Sequence, residues 1–221
     1  MQYQLTETPM ETSTLTPAYA KLASVSAIET TAEALNSHNF SAVILNTKEE
    51  ALAKIKELIP HGASVMNGAS QTLETIGYID YLKAGQHGWN NVHDGILAEK
   101  DPVKQAELRK HSVVSDFYLG SVHALSQTGE MVIASASGSQ LPHLAYTSPN
   151  LILVVGVQKI TPTLADAVHR LETYVIPLED KRMHEAYNIG TMYAKTLILH
   201  KENPAMGRKV HVLIVRESLG F

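Results

Sequence analysis

The run Leu151-Ile152-Leu153-Val154-Val155-Gly156-Val157 carries no polar side chain. A strand with one wet face alternates apolar and polar residues, whereas an unbroken apolar run is buried on both faces. A sheet built around such a strand needs cover on each side, and helices supply it in α/β architectures. The run therefore reads as the central strand of an open, mostly parallel sheet flanked by helices.

The segments before it fit that frame. Leu22, Val25, Ile28, Ala32 and Leu35 recur at helical spacing, and Phe40 to Leu45 is a short apolar run that reads as a buried strand. Thr47 with Glu50 three residues later forms a capping box, and Leu52, Ile55, Leu58 and Ile59 stripe the helix that follows. Ala63 to Met66 is a second strand, running into the turn Asn67-Gly68-Ala69-Ser70-Gln71-Thr72; helical spacing resumes with Leu73, Ile76 and Ile79. A strand–helix–strand–helix order implies parallel pairing.

Residues 85–101 form an excursion rich in Gly, Asn and His, with a short helix expected from Asp94 to Lys100. Its Trp89 and His87 leave open a lid over a pocket or a subunit contact. Asp101-Pro102 starts another helix, with proline at its first position. Strands are expected at Ser115–Leu119 and Met131–Ala134, with Gln127 to Glu130 as a hairpin-like turn before the second. Thr163 opens a helix, and Lys195–Leu199 and Val210–Val215 are expected to complete the sheet. Residues 1–16 read as a polar tail, and 17–221 as one domain without repeats or linkers.

Several functions are disfavoured. A net charge of −4 with scattered basic residues does not suit a nucleic-acid binder. The chain holds no cysteine, so thiolate zinc sites, disulfides and its own iron–sulfur cluster are ruled out. No apolar stretch reaches the roughly 18 residues of a membrane span, no secretory signal opens the chain, and the cytoplasm is the expected compartment. The eleven histidines lack metal-ligand spacing, so neither a metal nor another cofactor is expected.

In open parallel sheets, ligands bind beyond the carboxyl ends of the strands. Three small-residue turns are expected there: Asn67, Gly68, Ala69, Ser70 and Thr72 in the first, Gly120, Ser121 and His123 in the second, and Ser137, Gly138, Ser139 and Gln140 in the third. Small side chains let a ligand reach backbone amides and hydroxyls, which suits a small polar or anionic metabolite. The first turn lacks both the lysine of a Walker loop and the further glycines of a dinucleotide fingerprint. There is no Gly-x-Ser-x-Gly elbow. Glu130 is the leading acid/base residue and Asp116 the second; His123 and His143 flank pocket turns, and Lys159 could point a cation into the crevice.

With these residues in view, the chain resembles the LUD-domain family of the lactate-utilisation protein C type. The resemblance is carried by Asn67 through Gly77, Ser115 through Leu125, Thr128-Gly129-Glu130, Ser137-Gly138-Ser139-Gln140, Val154 through Ile160, Pro177 through Arg182 and Glu217-Ser218-Leu219-Gly220. It runs in order over about residues 20–221 and implies a fold similar to the sugar-phosphate isomerase and CoA-transferase group. It also implies a part in L-lactate oxidation beside iron–sulfur partner proteins. Many relatives carry cysteines near the C-terminus; here any cluster would belong to a partner. The isomerase group's catalytic lysine falls on Ala134, which leaves Glu130 without its usual companion. A stand-alone isomerase or acyl transferase, and a non-enzymatic subunit of an iron–sulfur oxidase, stay open as alternatives. So does a homo-oligomer.

Overall fold

The structure is a computed structural model that describes residues 17–221. The expected tail at 1–16 lies outside the described residues. Two α/β units open the chain: α1 (Val25–Ser37), β1 (Ser41–Leu45), α2 (Lys48–Leu58) and β2 (Ser64–Asn67). Ser24 and Thr47 cap the two helices by accepting the amides of Ala27 and Glu50. After the first glycine turn come α3 (Gln71–Thr75) and α4 (Tyr78–Lys83). One helix was expected here, but Gly77 at φ 76° breaks it in two.

The chain continues through β3 (Asn90–Asn91), α5 (Val92–Ala98), α6 (Pro102–His111), β4 (Phe117–Gly120), β5 (Ala124–Ser126), β6 (Met131–Ser135), β7 (Asn150–Gly156) and β8 (Ile160–Thr161). It ends with α7 (Leu164–Arg170), α8 (Ile176–Tyr187), β9 (Lys195–Leu199) and β10 (Lys209–Val215).

Six strands form an open, wholly parallel sheet in the order β1-β10-β7-β4-β2-β3, with β7 inside it as expected. Alternate residues of β7 enter two cores. Leu151, Leu153 and Val155 join α1's Ile28 and Leu35, while Ile152 and Val154 join Ile55 of α2 and Leu73 of α3. This double burial is why the run is apolar throughout.

One expectation is corrected. Lys195–Leu199 does not complete that sheet; it pairs antiparallel with β6 in a second sheet ordered β8-β5-β6-β9. Leu125, Met131 and Ile133 of this sheet face the first core, and Ala124, Val132 and Ala134 face a third core under α7. The 85–101 excursion also resolves. Trp89 is buried, its indole N–H donates to Ile59 O at 3.2 Å, and it packs on Tyr78, Tyr81 and His87. It is a core residue of the second cluster rather than a lid or a contact surface. No helix among the described residues is long and apolar enough to cross a membrane.

The α7 and α8 helices are one rod, joined by a π-turn at Leu171–Val175. Pro177 has no amide hydrogen for the carbonyl of Thr173, so the helix widens just before it.

Candidate functional site

A cavity of about 360 Å³ opens at the carboxyl ends of β2, β4 and β6, beneath α8. That volume suits a small metabolite. Its walls include Gly68, Ala69, Ser70 and Thr72 of the first turn, Gly120, Ser121 and His123 of the second, and Ser139 and Gln140 of the third. Lys159 also lines it, arriving from the 3-10 turn after β7. The three expected turns therefore converge.

The first turn needs its glycine for a close approach. A Cβ on Gly68 would lie 2.7 Å from the Tyr118 hydroxyl and 3.2 Å from Gln140 Oε1. Ser70 is spent as a cap, its hydroxyl accepting the Leu73 amide at 3.3 Å.

Lys159 is 2% exposed. Its Nζ donates to Thr72 Oγ1 at 2.9 Å, Ser121 Oγ at 3.1 Å and the Val122 carbonyl at 3.2 Å. Thr72 in turn donates to Leu219 O and Ser121 to Val154 O. All three acceptors are neutral, and among the described residues Lys159 makes no ion pair. Burial, and then the positive charge of Arg170, bring its amine down to about 7.

His123 Nδ1 accepts the Ala134 amide at 3.1 Å, which places the ring hydrogen on Nε2. Burial, then Lys159 and Arg170, push the imidazole down to about 3, so it is neutral at physiological pH. Arg170 lies behind it, fully buried, donating to the His123 carbonyl and stacked between Tyr19 and Tyr174.

Other expected residues fall outside the walls. Asn67, Ser137 and Gly138 do not line the cavity. His143 sits behind Tyr118, stacked at 4.4 Å between ring centroids and bonded to Ser148 Oγ. Asp116 lies at the amino end of β4, roughly 13 Å along the strand from Gly120. Its carboxylate accepts both the amide and the hydroxyl of Ser64, which ties β4 to β2 and holds its pKa below the usual value. Glu130 sits in the β5–β6 hairpin, about 17 Å along β6 from Ser135 at the cavity. Burial works to raise its carboxyl, but bonds from Ser126 and Thr128 prevail and hold it low. Asp116 ties one strand to another and Glu130 closes its own hairpin, and neither lines the cavity. Glu130→Gln and Asp116→Asn should therefore leave ligand affinity unchanged while lowering the melting temperature. Calorimetric titration and thermal melts of the two variants check this, and a lost affinity in either would return that residue to the site.

Residues not expected from the sequence complete the roof. Val175, Ile176, Glu179, Arg182 and Tyr187 reach the cavity from the α7–α8 rod, and Tyr118 from β4. Arg182 grips Glu179 through two bonds of 2.7 Å, so this charge pair is largely self-neutralised. Glu74, the other carboxylate on the wall, is held by Gln71 at 3.0 Å.

A family model described as the LUD domain matches residues 28–215. Among solved structures, the chain is similar to a DUF162-family protein from Deinococcus radiodurans. The two are 14% identical with a TM-score of 0.54, over 88% of this chain and 99% of that one. At that identity the likeness establishes the fold alone. No curated protein matches the chain.

Proposed function

Because the chain belongs to the LUD-domain family, we propose that it serves the use of lactate or a related small organic acid, which it binds as an anion in the cavity under α8. One observation carries the reading: a buried lysine on the cavity wall has three neutral acceptors and, among the described residues, no carboxylate bonded to it. A desolvated cation without a counter-charge gains most from a ligand that brings one. The neutral His123 adds its Nε2–H, and Gly68, Ala69 and Gly120 leave backbone within reach. The family resemblance supplies lactate as the first ligand to try.

Calorimetric titration with lactate tests the reading. A carboxylate keeps its charge at neutral pH, so any pH dependence there reports the protein. Lys159 is a cation below its value of about 7 and loses charge above it. Affinity should hold below that value and weaken by about tenfold per pH unit above it, until another group takes over. An affinity indifferent to pH, or no heat with lactate, phosphate or other small acids, would sink the proposal.

A further inference from the structure

We propose that Lys159 is also a nucleophile, which condenses with the carbonyl of a small oxo acid in the cavity and holds it as an imine. The proposal rests on the anion reading above for the acid's carboxylate.

Three observations carry it. The first is electrostatic placement. The lysine shares its surroundings with a second buried cation, Arg170, and, among the described residues, with no buried anion. A lysine desolvated beside another cation is kept partly as the free amine, which is the reactive form. The weakened basicity of Lys159 accords with this.

The second is the acceptor count. A neutral amine has two hydrogens and a lone pair. Three acceptors surround Nζ: Thr72, Ser121 and Val122 O. In the free amine two of them accept its hydrogens, and release of the third contact turns the lone pair toward a carbonyl carbon in the cavity that Lys159 lines. The third is His123. Its tautomer is fixed by the Ala134 amide, which leaves Nε2–H as a donor on the cavity wall for a carbonyl oxygen gaining charge.

The chemistry balances. Nζ adds to the carbonyl carbon and one of its hydrogens passes to the oxygen, giving a carbinolamine. The carbon–oxygen bond then breaks, and the oxygen leaves as water with both hydrogens that began on nitrogen. A solvent proton on the imine nitrogen makes an iminium, which keeps a positive charge for the carboxylate. Nothing is oxidised or reduced.

Borohydride trapping tests the step. Wild-type protein is incubated with pyruvate, reduced with borohydride and analysed by intact and peptide mass spectrometry. Acetone serves as the uncharged carbonyl. The expected result is one reduced pyruvate adduct per chain, mapped to Lys159 and exceeding that on any exposed lysine by at least about tenfold. The adduct should be absent from Lys159→Arg. Mapping on the wild type does not depend on a variant that folds. Absence of label at Lys159, or label spread over surface lysines, overturns the proposal. If pyruvate binds by calorimetry yet is not trapped, the imine falls and the anion reading stands. If acetone is trapped at Lys159 while no acid binds, the imine stands and the anion reading falls.

Discussion

Lys159→Met should bind lactate or phosphate at least about tenfold more weakly than the wild type, because it removes a charge-assisted contact from the cavity. The same variant should be the more stable protein at neutral and acid pH. Methionine fills nearly the same volume without a buried charge, and a charge buried without a counter-charge is costly. The Val122 carbonyl loses its donor, which offsets part of the gain. Thr72 and Ser121 keep their bonds to Leu219 O and Val154 O, so the walls stay satisfied.

The sign with pH follows from the lowered amine, about 7 in the fold against 10.5 for a lysine in water. Between those values the unfolded chain binds more protons than the folded one, so the lysine's contribution to stability rises with pH. Below about 7 its burial penalty is fully present. The variant's advantage should therefore be largest there and shrink as pH climbs toward 10.5. Urea unfolding of both proteins across that range measures it. Curves that stay parallel would mean that the buried amine is not shifted.

Gly156→Ala should be among the most damaging single-methyl additions. A Cβ there would lie 2.3 Å from Gln158 Oε1, 2.6 Å from Leu219 N and 2.7 Å from Glu217 O. Two of these neighbours are backbone, so the 217–220 segment must move. That segment is laced to the end of β7 by Val157 N to Glu217 O and by Gln158 Nε2 to Leu219 O, and to Thr72 by its hydroxyl. Overpacking of this kind costs about 1–3 kcal/mol, sometimes more. For a chain of this size that is a melting-temperature loss of roughly 2–12 °C. Ligand affinity should fall too, since Thr72 holds the amine. A melt within about 1 °C of the wild type would show that the segment is not clamped at Gly156.

Much of the fold was legible because its signals are local. The apolar run of β7, the cap Thr47, and the proline opening α6 each state their structure within a few residues. The second sheet was not legible. β5 has three residues, β8 has two, and nothing in Lys195–Leu199 says which strand it will pair with. Strand periodicity reports burial, and partners are decided by loop closure over distances that no local pattern encodes.

The site divides in the same way. Small-residue turns after strands marked three walls of the cavity. Lys159 was visible by its position after the central strand, but its burial and lack of a counter-charge are properties of the packed state. Glu130 stood out because it lies in a turn just before an apolar strand, between two small-residue turns; in the fold its carboxylate is taken up by Ser126 and Thr128. Glu179, Arg182 and Tyr187 sit on a helix remote in sequence from every turn they face, and only the fold brings them over the cavity.

The wide turn at Leu171–Val175 sets the rotational phase of everything after it in the rod. Successive helical residues are offset by about 100°. Losing one residue from that turn would convert it to ordinary α-helix and swing Glu179 and Arg182 away from the cavity, leaving the three turns and Lys159 untouched. A single deletion there would thus exchange the chemistry of the roof in one step while the floor of the cavity stays as it is.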